Sequence, residues 1–348
     1  MKALTLSGAL LAALCSPVWG QPTLSILLPV RNCEAYLPAT LNSAIEQTLK
    51  EIEVICVDDG STDGSLAILK SYAAKDPRVT VLRNGSSRGT SYSRLRAIRA
   101  CHGDYVLWLE PGDELFPTIA ERAAERATAS GADVVPFLVE YVLPGGTVSR
   151  WQLLDEKRVR RAGTGAHFLS LAADGAVTGH LWNKLWRGNI LRETAEKLLP
   201  FFSRQQLDGE GELLLFWFAT RRCDHYVLLP QLGYRYNGRD MAVTATADRA
   251  IRKKYIRDVC AVGGKIFAEE GEESIQKLAR RMIKRNEINV FLLLLSLPRK
   301  DGLAAFGEYL AAQPKGFREG ILAAMGKLNG DFYQNFTEEE SRSSPIGR

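Results

Sequence analysis

Between Leu24 and Leu109, short apolar runs alternate with amphipathic stretches in a regular order. Leu24-Ser-Ile-Leu-Leu-Pro29, Val54-Ile-Cys-Val57, Arg78-Val-Thr-Val-Leu82 and Tyr105-Val-Leu-Trp-Leu109 are rich in β-branched, aliphatic or aromatic residues. Runs of this length predict strands, and those without polar alternation predict strands buried on both faces. Between them, Leu37, Leu41, Ala44, Ile45 and Thr48 recur at helical spacing, and so do Leu66, Leu69, Tyr72 and Ala73. A third, arginine-rich helix is predicted from Thr90 to Cys101, with Gly103 closing it. The order β-α-β-α-β-α-β predicts an α/β fold whose mainly parallel sheet is flanked by helices.

The strand ends carry the candidate chemistry. Val54–Val57 stops in Asp58-Asp59-Gly-Ser-Thr-Asp63, and Tyr105–Leu109 stops in Glu110-Pro-Gly-Asp-Glu114. Ligands of open parallel sheets sit at the carboxyl ends of the strands. An isolated Asp pair more often caps a loop, so the flanking sequence must decide.

Residues 1–20 are unlike the rest. Lys2 precedes an apolar run from Ala3 to Leu14, and Val18-Trp19-Gly20 supplies a small-residue cleavage site before Gln21. This pattern predicts a signal peptide and export to a periplasm, a secretory lumen or the exterior. If the segment does not direct export, the expected place is the cytoplasmic face of the membrane. The net charge of +5 is compatible with anionic ligands without demanding them. Cysteines 33, 56, 101, 223 and 260, left after removal of Cys15, are odd in number and lack Cys-x-x-Cys spacing, so neither a disulfide framework nor a zinc site is predicted.

Beyond Ala247 a helical C-terminal region is expected through residue 336, then a disordered tail at 337–348. Ile275, Leu278 and Met282 share one face of a segment whose other faces carry Lys277, Arg280, Arg281, Lys284 and Arg285. Such a helix either meets an anionic membrane surface peripherally or presents a solvated face, the commoner case. No nucleic-acid module is recognisable.

The run Ser25-Ile-Leu-Leu-Pro-Val-Arg-Asn32, the Val57-Asp-Asp-Gly-Ser-Thr-Asp63 turn, Gly89 with Arg94, Gly103-Asp-Tyr105, and an acidic segment after an apolar strand occur in order over about ninety residues. Together they resemble a family 2 glycosyltransferase. Trp182-Asn-Lys-Leu185, Asp208-Gly-Glu-Gly-Glu212 and Gly233-Tyr-Arg-Tyr236 extend the resemblance, which covers residues 24–247. It implies the Rossmann-like GT-A fold and inverting transfer of a hexose or N-acetylhexosamine from a nucleotide diphosphate sugar, of UDP type, to a glycan acceptor.

The resemblance also implies roles for particular residues. Pro29, Arg31, Asn32 and Asp59 would hold base and ribose, with Arg31 departing from the usual aromatic residue. Arg94 would sit near the nucleotide, where a guanidinium fork suits phosphate or a base carbonyl. Mn²⁺ or Mg²⁺ is implied at Glu110 and Asp113, although Gly112 replaces the carboxylate that usually touches the metal. The catalytic base is implied at Glu212, or at Glu210 if the register shifts by two. With both motifs altered, two hypotheses stand: an active transferase, and a non-catalytic glycan- or partner-binding protein on a degenerate transferase fold.

Overall fold

The apolar runs take up the interior of one sheet in the computed structural model. The structure describes residues 23–143, 146–151 (backbone only at 149–151), 158–204, 207, 211–238, 258, 262, 265–266, 272–279 and 281. The predicted signal segment, Glu210, most of the C-terminal helical region and the 337–348 tail lie outside the described residues.

Strands β1 (Leu24–Val30), β2 (Ile52–Asp58), β3 (Val79–Arg83) and β4 (Tyr105–Trp108) alternate with helices α1 (Leu37–Ile45), α2 (Ser65–Lys75) and α3 (Thr90–Ala100). They pair in parallel in the order β3-β2-β1-β4. Every residue of β1 and β4 is buried, as expected of strands covered on both faces. Gly103 makes the β1 contact tight: its N–H donates to Ser25 Oγ at 2.9 Å, and a Cβ there would lie 2.6 Å from Ser25 N.

The second half departs from the parallel pattern. After β5 (Glu114–Leu115), α4 (Ile119–Ser130), β6 (Val134–Val142), β7 (Val148–Trp151), β8 (Ala162–Thr164) and α5 (Gly165–Ala173) comes β9 (Lys184–Arg187). It is inserted antiparallel between β4 and β6. Helices α6 (Gly188–Arg204) and α7 (Gly211–Thr220) and strands β10 (His225–Val227) and β11 (Leu229–Asn237) follow. Running antiparallel, β9 starts beside the carboxyl end of β4. The loop leading into it therefore reaches the edge where a parallel sheet binds ligands.

Among the described residues no helix is long and apolar enough to cross a membrane. Of the basic segment at 275–285, residues 275–279 are helical and Ile275 and Ala279 are buried, which fits a helix packed on one face.

Gly60, in the turn after β2, has φ +70°, and a Cβ there would meet Ser87 N at 2.8 Å and Ser86 C at 2.9 Å. Both neighbours are main chain, so neither yields cheaply. Gly60→Ala is expected to destabilise the protein by about 1–3 kcal/mol through strain and overpacking. An unchanged urea midpoint would contradict this.

Candidate active site

The first cluster forms at the carboxyl end of β2. Asp59 is buried, and its carboxylate accepts hydrogen bonds from Asn84 Nδ2 (2.7 Å), Ser87 Oγ (2.8 Å), Arg88 N (2.8 Å) and Gly89 N (3.0 Å). Burial alone would raise its pKa, but these donors outweigh it and hold the group below the ordinary carboxylate value. Asp59 thereby fastens the 84–89 loop, whose last residue, Gly89 at φ +88°, opens α3. Asp58 is fully buried, with Oδ1 accepting from Ser61 N at 3.2 Å and Oδ2 3.7 Å from Arg83 Nε. At the end of β1, Pro29 is buried, whereas Arg31 and Asn32 are exposed. Asn32 takes φ +48° and its side chain accepts from Thr62 N at 2.8 Å, binding this exit to the β2 turn.

The second cluster is built on charge. Arg94, one turn into α3, is 4% exposed. Its Nη2 donates to Glu110 Oε1 at 2.7 Å and lies 3.8 Å from Glu212 Oε2. Burial opposes its charge, but the two carboxylates outweigh that and raise its pKa. Nε and Nη1 are buried with no hydrogen-bond partner. Three residues predicted separately, Arg94, Glu110 and Glu212, thus meet at one point. A buried guanidinium with unpaired donors is suited to an anionic ligand.

Glu212 is in this position because α7 comes very close to α3. A Cβ at Gly211 would lie 2.1 Å from Ser91 Oγ. Glu212 falls in the first turn of α7, where the helix dipole favours a carboxylate. It is 7% exposed, its Oε1 accepts from Leu181 N at 2.5 Å, and its Oε2 is 3.4 Å from His180 Nδ1. Against the cost of burial, Arg94 and these donors lower its pKa to about 2.

Glu110-Pro111-Gly112-Asp113 forms a turn closed by Asp113 N donating to Glu110 O at 3.0 Å. Pro at the second position and a glycine with φ +95° at the third are what a type II turn requires. Gly112 is therefore a backbone necessity of this turn, and a carboxylate residue there would be strained. Thr40 of α1 holds the turn from below: its Oγ accepts from Gly112 N at 2.7 Å and donates to Asp113 O at 3.0 Å. The Asp113 carboxylate accepts from Tyr234 Oη (2.9 Å) and Asn237 N (3.0 Å), which fixes it to β11.

This arrangement does not fit the divalent metal implied for Glu110 and Asp113. Glu110 is neutralised by Arg94, both Asp113 oxygens are engaged, and no group of three His, Cys, Asp or Glu among the described residues could hold a metal ion.

Two side chains escaped the sequence reasoning. His180, half-exposed, stacks on Trp182 at 5.2 Å between ring centres. Lys184 is fully buried and donates to the His180 carbonyl at 2.6 Å and to Asn183 Oδ1. Burial lowers its pKa to about 7, with Glu212 opposing. Lys184 stood in a recognised motif without a role. His180 carried one faint signal, as one of four histidines in the chain, two residues before Trp182.

Residues 25–180 match the model of a protein family described as glycosyl transferase family 2. Over this stretch the chain is similar to the family 2 glycosyltransferases. It is 28% identical over 194 residues to the uncharacterized glycosyltransferase YibD of Escherichia coli, covering 55% of this chain and 56% of YibD. It is 29% identical over 220 residues to the putative glycosyltransferase EpsH of Bacillus subtilis, covering 62% and 61%. The chain thus spans under two thirds of the length of both. With the succinoglycan biosynthesis protein ExoO of Rhizobium meliloti it shares 25% identity over 346 residues, 93% of this chain and 92% of ExoO. Among solved structures, residues 1–349 of TarS from S. aureus in complex with UDP-GlcNAc superpose with a TM-score of 0.68 at 19% identity, covering 93% of each chain. The fold is the expected GT-A fold.

Asp59 supplies a pH test of this architecture. Its folded pKa is lowered, so its stabilisation is complete above the ordinary carboxylate value and is lost as pH falls through the folded one. Wild-type protein is expected to be more stable than Asp59→Asn at pH 7, with the gap closing below about pH 4. Thermal unfolding curves that stay equally far apart down to acid pH would contradict this.

Proposed function

We propose that the chain is an inverting glycosyltransferase that passes a hexose or N-acetylhexosamine from a UDP-type donor to a glycan hydroxyl. One observation carries the proposal most. Arg94 lies at the carboxyl edge of a parallel α/β sheet with Nε and Nη1 buried and unpaired beside two carboxylates. A diphosphate would take up those donors and share the guanidinium with Glu110. TarS has been solved with UDP and with UDP-GlcNAc, which supports the choice of nucleotide.

In this reading the β1 exit, Pro29 to Asn32, and the 84–89 loop form the nucleoside end. Asp59 acts as the organiser of that loop, its oxygens being occupied by it. Arg94 binds the diphosphate and stabilises the charge that develops as the leaving group departs, a preorganised electrostatic role. Tyr236, half-buried and stacked on the buried Trp182 at 5.6 Å between ring centres, is the aromatic ring of this group that a sugar face would meet. Gly112 and Gly211 each answer a backbone or packing demand, so neither glycine is by itself a mark of lost chemistry.

Calorimetric titration of UDP into wild type and Arg94→Lys, in EDTA and again with Mn²⁺, tests the assignment. Arg94→Lys keeps the charge but loses the fork. It is expected to weaken UDP binding about tenfold, roughly 1.4 kcal/mol, in both conditions. Absence of UDP binding to wild type in both conditions would defeat the transfer reading.

A further inference from the structure

The carboxylate implied as base is poorly suited to removing a proton. Glu212 has a side chain only 9% exposed, with Oε1 occupied by Leu181 N and Oε2 facing His180 and Arg94. A general base works best when its pKa lies near the operating pH. Arg94 and the donors around Glu212 move it the other way, below the ordinary carboxylate value.

The most exposed side chain of the same cluster is His180, at 45% against 23% for Glu110. Its Nδ1 faces Glu212 Oε2 at 3.4 Å. A carboxylate there selects the tautomer with the proton on Nδ1 and leaves the Nε2 lone pair free, which is the logic of an oriented base. The ring is held by stacking and its main chain by two hydrogen bonds. It stacks on Trp182 at 26°, and Trp182 itself packs on Tyr234 and Tyr236. Its own carbonyl is bound by Lys184 Nζ at 2.6 Å. The N–H of the next residue, Leu181, is anchored on Glu212. Antiparallel β9 brings this loop to the end of β4, where Glu110 and Arg94 lie.

We propose that His180 is the general base of the transfer, with Glu212 its positioning residue; this rests on the transferase reading above. The acceptor hydroxyl oxygen attacks the anomeric carbon of the donor and its proton passes to His180 Nε2. As the new carbon–oxygen bond forms, the bond from the anomeric carbon to the diphosphate oxygen breaks. The electron pair leaves with the nucleotide diphosphate, facing Arg94. The imidazolium that results is stabilised by the Glu212 carboxylate.

The charged groups around His180 are Glu212 from α7, Lys184 from β9 and, behind Glu212, Arg94 from α3. Burial brings the pKa of Lys184 down to about 7, so the test must separate its contribution from that of His180. With UDP-GlcNAc, UDP-glucose and UDP-galactose as donor probes and water as acceptor, UDP release is followed against pH for wild type, His180→Gln and Lys184→Met. His180→Gln is expected to lower kcat about 100-fold, keep UDP affinity within about threefold, and lose the acidic limb of the profile. Lys184→Met is expected to keep that limb. Retention of the limb in His180→Gln, or a kcat within about threefold of wild type, would overturn the assignment.

A readout independent of turnover is the imidazole ¹⁵N spectrum at pH 8. It is expected to show the neutral ring protonated on Nδ1 in wild type, with that preference lost in Glu212→Gln. An Nε2-protonated ring in wild type would overturn the assignment whatever the donor. Failure of wild type to bind UDP at all would instead remove the transferase reading, and this one with it.

Discussion

A single buried cation organises the candidate site. Arg94 joins three elements: α3, which carries it, the exit of β4 through Glu110, and, far along the chain, the start of α7 through Glu212. Taking such charges out of water is expensive, and removal of one partner from a buried pair typically costs about 3–5 kcal/mol because the other is left unpaired. The site region is therefore held together by an interaction that tolerates little displacement. Its guanidinium still leaves Nε and Nη1 unpaired. Folding has enclosed more donor capacity than the protein itself uses.

Close backbone approach makes that cluster geometrically feasible. Gly211 lets α7 press onto Ser91 so that Glu212 reaches Arg94, Gly112 lets the chain turn after Glu110, and Gly60 lets the β2 turn touch the 84–89 loop. Around these turns, hydrogen bonds from uncharged donors fix the rest: Asp59 gathers one loop, and Thr40, Tyr234 and Asn237 secure Gly112 and Asp113. The two carboxylates implied as metal ligands are thus employed differently, one against a guanidinium and one inside the fold.

The parallel half of the fold was legible because its signals are local. Consecutive apolar residues, helical spacing and terminal glycines placed β1 to β4 and α1 to α3 within about three residues of their observed limits. The antiparallel insertion of β9 was not legible. Leu185-Trp186 is too short a run to announce a strand, and its partners are chosen by tertiary pairing. The same distinction holds at the site. Arg94, Glu110 and Glu212 could be singled out by motif, but not their mutual contact. Asp59 was expected to face a nucleotide, and its four donors from residues 84–89 are visible only once the loop is folded back. His180 gave almost no signal, since what distinguishes it is a carboxylate thirty-two positions further along the chain.

The central claim is that the unpaired face of Arg94 receives the diphosphate of a nucleotide sugar. A crystal structure of the protein soaked with UDP tests it most directly. The account predicts phosphate oxygens within hydrogen-bond distance of Arg94 Nε or Nη1, with the uridine lying toward the β1 exit and the 84–89 loop. A diphosphate bound elsewhere, with Arg94 still engaging only Glu110 and Glu212, would contradict it.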